Sequence, residues 1–316
     1  MNVLIIKLGA TGDVVRTTPL LRRFDGPVTW ITADKNVELL QGIEREVRFV
    51  SWKDRRSVSN ARYDLVINLE DDRDTGLFLK ELRFKQLFGA HLDAKGELTY
   101  TPDSRGWFDL SLISAYGRQE ADRLKLLNRR TYQDLIFEGL GLSFSGETYY
   151  LPPARPTGLR GDVALSSTAG PVWPMKQWAY YDELATELEA KGLKVNVLPT
   201  RPSLLEHLAD VQGHRCLVSG DSLPMHLALG GGVRCVSIFT CTSPWEIHEY
   251  GLQEKIVSPV LENFFYKRGY DNRATMAITV RKVMSAVMAQ FGAVSHNAKS
   301  QRGSIMDEWA TASNET

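Results

Sequence analysis

Val3-Leu4-Ile5-Ile6-Lys7-Leu8-Gly9-Ala10-Thr11-Gly12-Asp13-Val14-Val15 opens the chain with four apolar residues in a row. A turn holding two glycines follows, then an apolar pattern that runs on through Leu20, Leu21 and Phe24. A strand buried on both faces reads as a continuous apolar run, and helical spacing after a tight turn completes strand, turn and helix. That is the opening unit of a doubly wound α/β sheet. The alternation continues through Val28-Thr29-Trp30-Ile31, the helically spaced Val37, Leu39 and Leu40, then Val47-Arg48-Phe49-Val50 and Leu65-Val66-Ile67. Strands separated by helices predict parallel pairing with right-handed crossovers.

Further on, Pro152, Pro153, Pro156, Gly158 and Gly161 crowd into the stretch from Leu151 to Gly161. Such a density of breakers reads as a linker, and the pattern then restarts. Val163-Ala164-Leu165, Lys194 to Leu198, Cys216 to Ser219 and Val233 to Phe239 are the strands of this second half. Between them lie an apolar helical face (Trp178, Tyr181, Leu184, Ala185, Leu188) and a short helix from Leu204 to Ala209. Ala274 to Phe291 predicts a closing helix. The expected organisation is therefore two Rossmann-like α/β domains facing a central cleft, spanning 1–155 and 156–291. A tail without periodicity, 292–316, reads as disordered.

The 316 residues hold 38 Lys and Arg against 38 Asp and Glu, so no surplus of cations exists to coat nucleic acid. With 43% hydrophobic and 24% charged residues, global disorder is excluded. Three cysteines, Cys216, Cys235 and Cys241, without Cys-x-x-Cys spacing, argue against a disulfide scaffold or a four-cysteine zinc site. No apolar run reaches the length of a membrane span, so a cytoplasmic protein is expected, with membrane contact at most peripheral.

Three segments carry chemistry. Gly9 to Asp13 joins the first strand to the first helix, with Asp13 in the helix's first turn, where an acidic residue is favoured as a simple cap too. The turn lacks the third glycine of Gly-x-Gly-x-x-Gly, which demotes a nicotinamide-dependent dehydrogenase. Asp221-Ser222-Leu223-Pro224-Met225-His226 follows the strand Cys216 to Val218. Ser222 suits an N-cap and Pro224 a first helical turn, so backbone N–H groups are expected to face an anion beside Asp221. Lys176, in Trp173-Pro174-Met175-Lys176-Gln177-Trp178, precedes a helix, where a nearby anionic ligand would account for a cation. A lone histidine such as His226 or a lone lysine is otherwise an ordinary helix or surface residue.

Taken together, Lys7 to Leu21, Trp173 to Trp178 and Asp221 to Ala228, in this order, resemble glycosyltransferase family 9, the ADP-heptose:lipopolysaccharide heptosyltransferases and their relatives, which have the GT-B fold. The resemblance runs over most of residues 1 to about 290. It implies an inverting transfer from a nucleotide-activated heptose without metal or cofactor, with Asp13 as general base on the acceptor hydroxyl. Lys176 would neutralise the donor diphosphate. Asp221, Ser222, Met225 and His226 would hold donor sugar and phosphates, Thr240 and Thr242 would lie near the phosphates, and Thr200 and Glu206 near the nucleoside ribose. Two departures fall where backbone should approach phosphate: Leu223 stands in place of the usual glycine, and Thr240-Cys241-Thr242 in place of Gly-Pro-Thr.

On the acceptor side, Gly12, Glu70 and Asp71 are expected at the cleft. Glu70, Asp71 and Asp72 follow a strand end, and three adjacent carboxylates there would attract an amine-bearing sugar or nucleoside. A basic cluster, Arg118, Arg123, Lys125, Arg129 and Arg130, reads first as a solvated face. The expected partners are a nucleotide sugar, ADP-heptose first, and a glycan or small-molecule acceptor. The competing readings are a transferase for another sugar nucleotide and a catalytically silent sugar-nucleotide-binding protein.

Overall fold

The computed structural model describes residues 1–292; the expected disordered tail lies outside these but for its first residue. Two open sheets form the frame. In the first, β1 (Val3–Ile6), β2 (Val28–Thr32), β3 (Arg48–Ser51), β4 (Arg62–Asn68), β5 (Arg83–Leu92) and β6 (Leu98–Tyr100) lie in the order β3-β2-β1-β4-β5-β6. All pairs are parallel except β5 with β6. The second sheet is parallel throughout, with β7 (Gly161–Ser166), β8 (Val195–Val197), β9 (His214–Gly220), β10 (Arg234–Phe239) and β11 (Gln253–Val257) in the order β11-β10-β9-β7-β8. The chain crosses between the sheets through 142–160, which contains neither helix nor strand, as its prolines demand. Mixed α/β layering in two mainly parallel sheets is the architecture expected from the alternating pattern.

Every side chain of β1 is fully buried, because layers cover both faces of the sheet. Ile5 and Trp30 point to one layer with Tyr132 and Phe137, while Leu4 and Ile6 point to the other with Tyr63 and Phe78. The helices on this half are α1 (Thr11–Thr17), α2 (Arg73–Leu79), α3 (Arg105–Phe108), α4 (Arg118–Leu127) and α5 (Tyr132–Gly139). The other half has α6 (Tyr181–Ala190), α7 (Leu204–Gln212), α8 (Leu223–Gly230), α9 (Leu261–Phe264), α10 (Asn272–Thr275) and a last helix over 280–292. Helix α8 is buried on every side from Pro224 to Leu229, since it lies between its own sheet and α1 of the other half.

Two expected helices differ from the observed ones for local reasons. The first stops at Thr17 and continues as a 3-10 segment, Thr18–Arg23. Pro19 has no N–H to offer to an α-helical turn, and the hydroxyls of Thr17 and Thr18 donate to the carbonyls of Asp13 and Val15, each at 2.7 Å. The closing helix is not continuous from Ala274: α10 ends at Thr275, and the helix restarts at residue 280 after Thr279, whose hydroxyl accepts from the N–H of Lys282. Among the described residues, no helix is long and apolar enough to cross a membrane.

Candidate active site

The site begins with the turn after β1. One oxygen of Glu70 accepts from Lys7 Nζ at 2.8 Å, from the N–H of Leu8 at 2.7 Å and from the N–H of Gly9 at 3.3 Å. Asn36, fully buried, donates to the Leu8 carbonyl at 2.7 Å and accepts from the Thr11 hydroxyl at 2.8 Å. The turn is thus clamped from both sides, and α1 leaves it with Asp13 in its first turn. Burial pushes the Lys7 ammonium toward neutrality, but Glu70, with Asp13 and Tyr132 beside it, outweighs this and holds its pKa above the ordinary lysine value.

Asp13 is about one-third exposed and pairs with Arg16 one turn on, Nη2 to Oδ1, at 3.0 Å. Burial works to raise the carboxyl's pKa. The charges of Arg16 and Lys7 together exceed that effect, and Asp13 sits below the usual aspartate value, ionised at neutral pH. Arg16 itself is buried, with its guanidinium 4.3 Å from the ring centre of Tyr132 and 5.4 Å from that of Trp107.

Across the cleft stands the end of β9. Lys176 donates to the side chain and to the carbonyl of Asp221, both at 2.8 Å. Burial pushes the Asp221 carboxyl up, yet Lys176, through its charge and its hydrogen bond, holds it well below the carboxylate range. Lys176 does not precede a helix directly, as its sequence position implied. It closes a 3-10 turn, Pro174–Lys176, and α6 starts five residues later. That turn lies so close to β9 that a Cβ on Gly220 would fall 2.7 Å from the Lys176 carbonyl oxygen. Ser222 departs from the expected cap: its hydroxyl pairs with that of Ser219 at 2.9 Å, and no side chain caps α8. The first N–H groups of α8 are left for another acceptor.

Helices α1 and α8 meet at the centre. A Cβ on Gly12 would lie 2.7 Å from the His226 ring, so glycine lets the two helices touch. His226 is buried, with Nδ1 3.4 Å from the Tyr149 hydroxyl. Burial, reinforced by Arg16 and opposed by Asp221 and Asp13, pulls its pKa down to about 4, so the imidazole is neutral at pH 7. An unfolded histidine titrates near 6.5, so as pH falls from there toward 4 the unfolded chain gains a proton that the folded one refuses. Stability therefore drops on acidification through this window, by on the order of 3 kcal/mol in full. Urea midpoints should fall more steeply between pH 7 and 4.5 for the wild type than for His226→Gln; equal slopes would remove His226 as the cause.

Two adjoining cavities lie where these groups converge. The smaller, about 270 Å³, is lined from both halves by Gly12, Asp13, Arg16, Lys176, Asp221 and His226, with Ser222 at its wall. The larger, about 380 Å³, opens beside it over Asp13, Glu70, Asp71 and Trp107, with Lys125 and Arg268 at its edges. Both share Trp173 and Tyr266.

Other expected site residues lie elsewhere. Met225 is fully buried in the core against Phe239 and Leu217, because α8 turns that face to its own sheet. Thr240 is buried and donates to the Met175 carbonyl at 2.5 Å, so it holds the turn that carries Lys176. Thr242 is buried too but lies beside Asp221, whose carboxyl it helps hold in the ionised form. Thr200 is exposed past the end of β8, and Glu206 sits in the first turn of α7, 3.9 Å from Arg155; neither lines the two cavities. The run of three free carboxylates is corrected too. Glu70 clamps the turn and Asp72 caps α2 by accepting from Thr75 N at 2.9 Å, which leaves Asp71. Of the basic cluster, Arg118 and Lys125 reach the larger cavity, while Arg123 pairs with Glu120 and Arg130 with Glu138.

Sequence reasoning missed Arg16, Glu246, Trp107 and Tyr266. The one available signal was Arg16, a charged residue on the apolar face of α1 directly after Val14 and Val15.

The family model of glycosyltransferase family 9 (heptosyltransferase) matches residues 172–273. No curated protein matches the sequence. Among solved structures, the chain is similar to E. coli heptosyltransferase WaaC with ADP, with 15% identity, TM-score 0.61 and coverage of 92% of this chain and 100% of that one. A family 9 glycosyl transferase from Veillonella parvula DSM 2008 gives 15% identity and TM-score 0.58, covering 92% and 96%. The iron-containing dodecameric glycosyltransferase TibC of enterotoxigenic E. coli H10407 gives 12% and 0.57, covering 92% and 77%. The family match is thus confined to residues 172–273, while the two-sheet GT-B frame shared with these solved structures extends over 92% of the chain.

Proposed function

We propose that the chain transfers a heptose, or a related sugar, from an ADP-activated donor to a hydroxyl of a glycan or small-molecule acceptor, with inversion, on the cytoplasmic side of any membrane it serves. The observation that carries this reading is the convergence of Asp13 from one half and the Lys176 and Asp221 pair from the other on one cavity of about 270 Å³. In this reading the Asp13 carboxylate takes the proton of the acceptor hydroxyl. Its oxygen attacks the anomeric carbon, the bond from that carbon to the phosphate oxygen breaks, and ADP leaves with both electrons. Negative charge grows on the diphosphate as the bond opens. Lys176 and the uncapped N–H groups of α8 are placed to meet it, which is the role a divalent metal fills elsewhere. Support for the donor class comes from relatives of this fold solved with ADP and with ADP-2-deoxy-2-fluoro heptose.

Metal independence is part of this proposal, as the family resemblance implies, and is tested directly. Among the described residues, no three His, Cys, Asp or Glu gather at metal-ligand spacing. Transfer is expected to persist in chelator; loss of activity restored by Mg²⁺ or Mn²⁺ would refute a metal-free mechanism. For the donor, thermal shifts with ADP-, UDP-, GDP- and dTDP-sugars discriminate directly, since a ligand that binds only the folded state raises its melting temperature. The ADP sugar should give the largest shift and release ADP slowly into water. A larger shift with another nucleotide would reassign the donor, and binding without any release would favour the silent binding protein.

A further inference from the structure

We infer that Glu246 is a positioning residue for this reaction, an interdomain latch that holds Arg16, the partner of Asp13, by gripping it and Lys125 from across the cleft. The inference rests on the reading of Asp13 as base. Glu246 follows β10, and its side chain is only 4% exposed. The cations on it both come from the other half of the molecule: Arg16 Nη1 at 3.6 Å from Oε2 and Lys125 Nζ at 3.3 Å from Oε1. Its backbone carbonyl accepts from the N–H of Tyr132, also across the cleft, at 2.9 Å. From its own half it has the Tyr266 hydroxyl at 3.5 Å.

A buried carboxylate is tolerated when paired, so separation of the halves would strand this charge. Arg16 is the bridge of the device, with one terminal nitrogen on Asp13 and the other toward Glu246. Trp107 floors both cations, its ring centre 5.4 Å from the Arg16 guanidinium and 5.2 Å from Lys125 Nζ. With Glu246 in place the guanidinium is drawn away from Asp13 as well as toward it, leaving the base a face for the acceptor hydroxyl. Without it, Arg16 is free to close over Asp13 and compete with that hydroxyl.

The test uses the full chain, ADP-heptose as probe, and Glu246→Gln, which keeps size and removes charge. Turnover of ADP release should fall about 10–100-fold with the Michaelis constant little changed, the cost of a misplaced reacting group. The double variant Asp13→Asn with Glu246→Gln should be no slower than Asp13→Asn alone, because Glu246 acts through Asp13. Small-angle scattering of the unliganded Glu246→Gln protein should show a larger radius of gyration than the wild type. Losses that multiply in the double variant, a raised Michaelis constant at normal turnover, or wild-type kinetics and radius would each overturn the latch. Should Asp13→Asn itself prove fully active, or the wild type leave ADP-heptose intact, the functional reading fails instead. Scattering then decides the latch alone, an unchanged radius ending it. If Glu246→Gln does not melt cooperatively, Lys125→Gln takes its place, with the same results expected and the same results fatal to the latch.

Discussion

Asp13→Asn is expected to lower turnover by about 10²–10⁴-fold while leaving donor affinity nearly unchanged. The amide fills the same space and can still receive a hydrogen bond from Arg16, so α1 and its contact with His226 should stand. What disappears is the proton acceptor. The charges of Arg16 and Lys7 keep the native carboxyl below its ordinary value despite burial, so it is already ionised throughout the neutral range. Activity should accordingly show no acid limb from Asp13 between pH 5 and 8. Single-turnover rates with saturating donor, together with the melting temperature of the variant, make the measurement. Near-normal turnover would leave Asp13 as a helix-start carboxylate paired with Arg16 and nothing more.

Lys176→Ala should weaken binding of the nucleotide sugar and also slow transfer at saturating donor, by about 10²–10³-fold in turnover. The second effect is the diagnostic one. A cation that merely anchors the diphosphate changes affinity alone, whereas one that meets charge developing on the leaving group changes turnover too. In the unliganded protein Lys176 is held by Asp221 through two hydrogen bonds of 2.8 Å, so the donor must share this lysine with a carboxylate. Removing the lysine leaves Asp221 without its main stabilising charge, and its carboxyl should titrate closer to the ordinary value. Chemical-shift titration of Asp221 in the variant, beside the kinetics, separates loss of a ligand contact from collapse of the turn. Unaltered affinity and rate would return Lys176 to a structural role beside Asp221.

The α/β frame was legible in the amino-acid sequence alone. Val3 to Ile6 can be satisfied only with layers on both faces, and the prolines of 152–156 forbid regular structure between the two halves. That Asp13, Asp221 and His226 meet at one cleft was legible too, because each follows a strand end and parallel sheets bring those ends to one side, whereas Lys176 was singled out only by the family resemblance. What each polar group near the cleft is bonded to came only with the packed molecule. Glu70, expected on the acceptor side, lines the larger cavity and also clamps the Gly9 turn; Met225 sits in the donor motif and faces the core. Glu246 and Arg16 are 230 positions apart, and nothing in local pattern pairs them. Periodicity reports which face of an element is buried, since that depends on neighbours three or four residues away. The partner of a buried charge depends on how two separately folded layers come together, and that information is carried by the packing of α1 on α8 across the cleft.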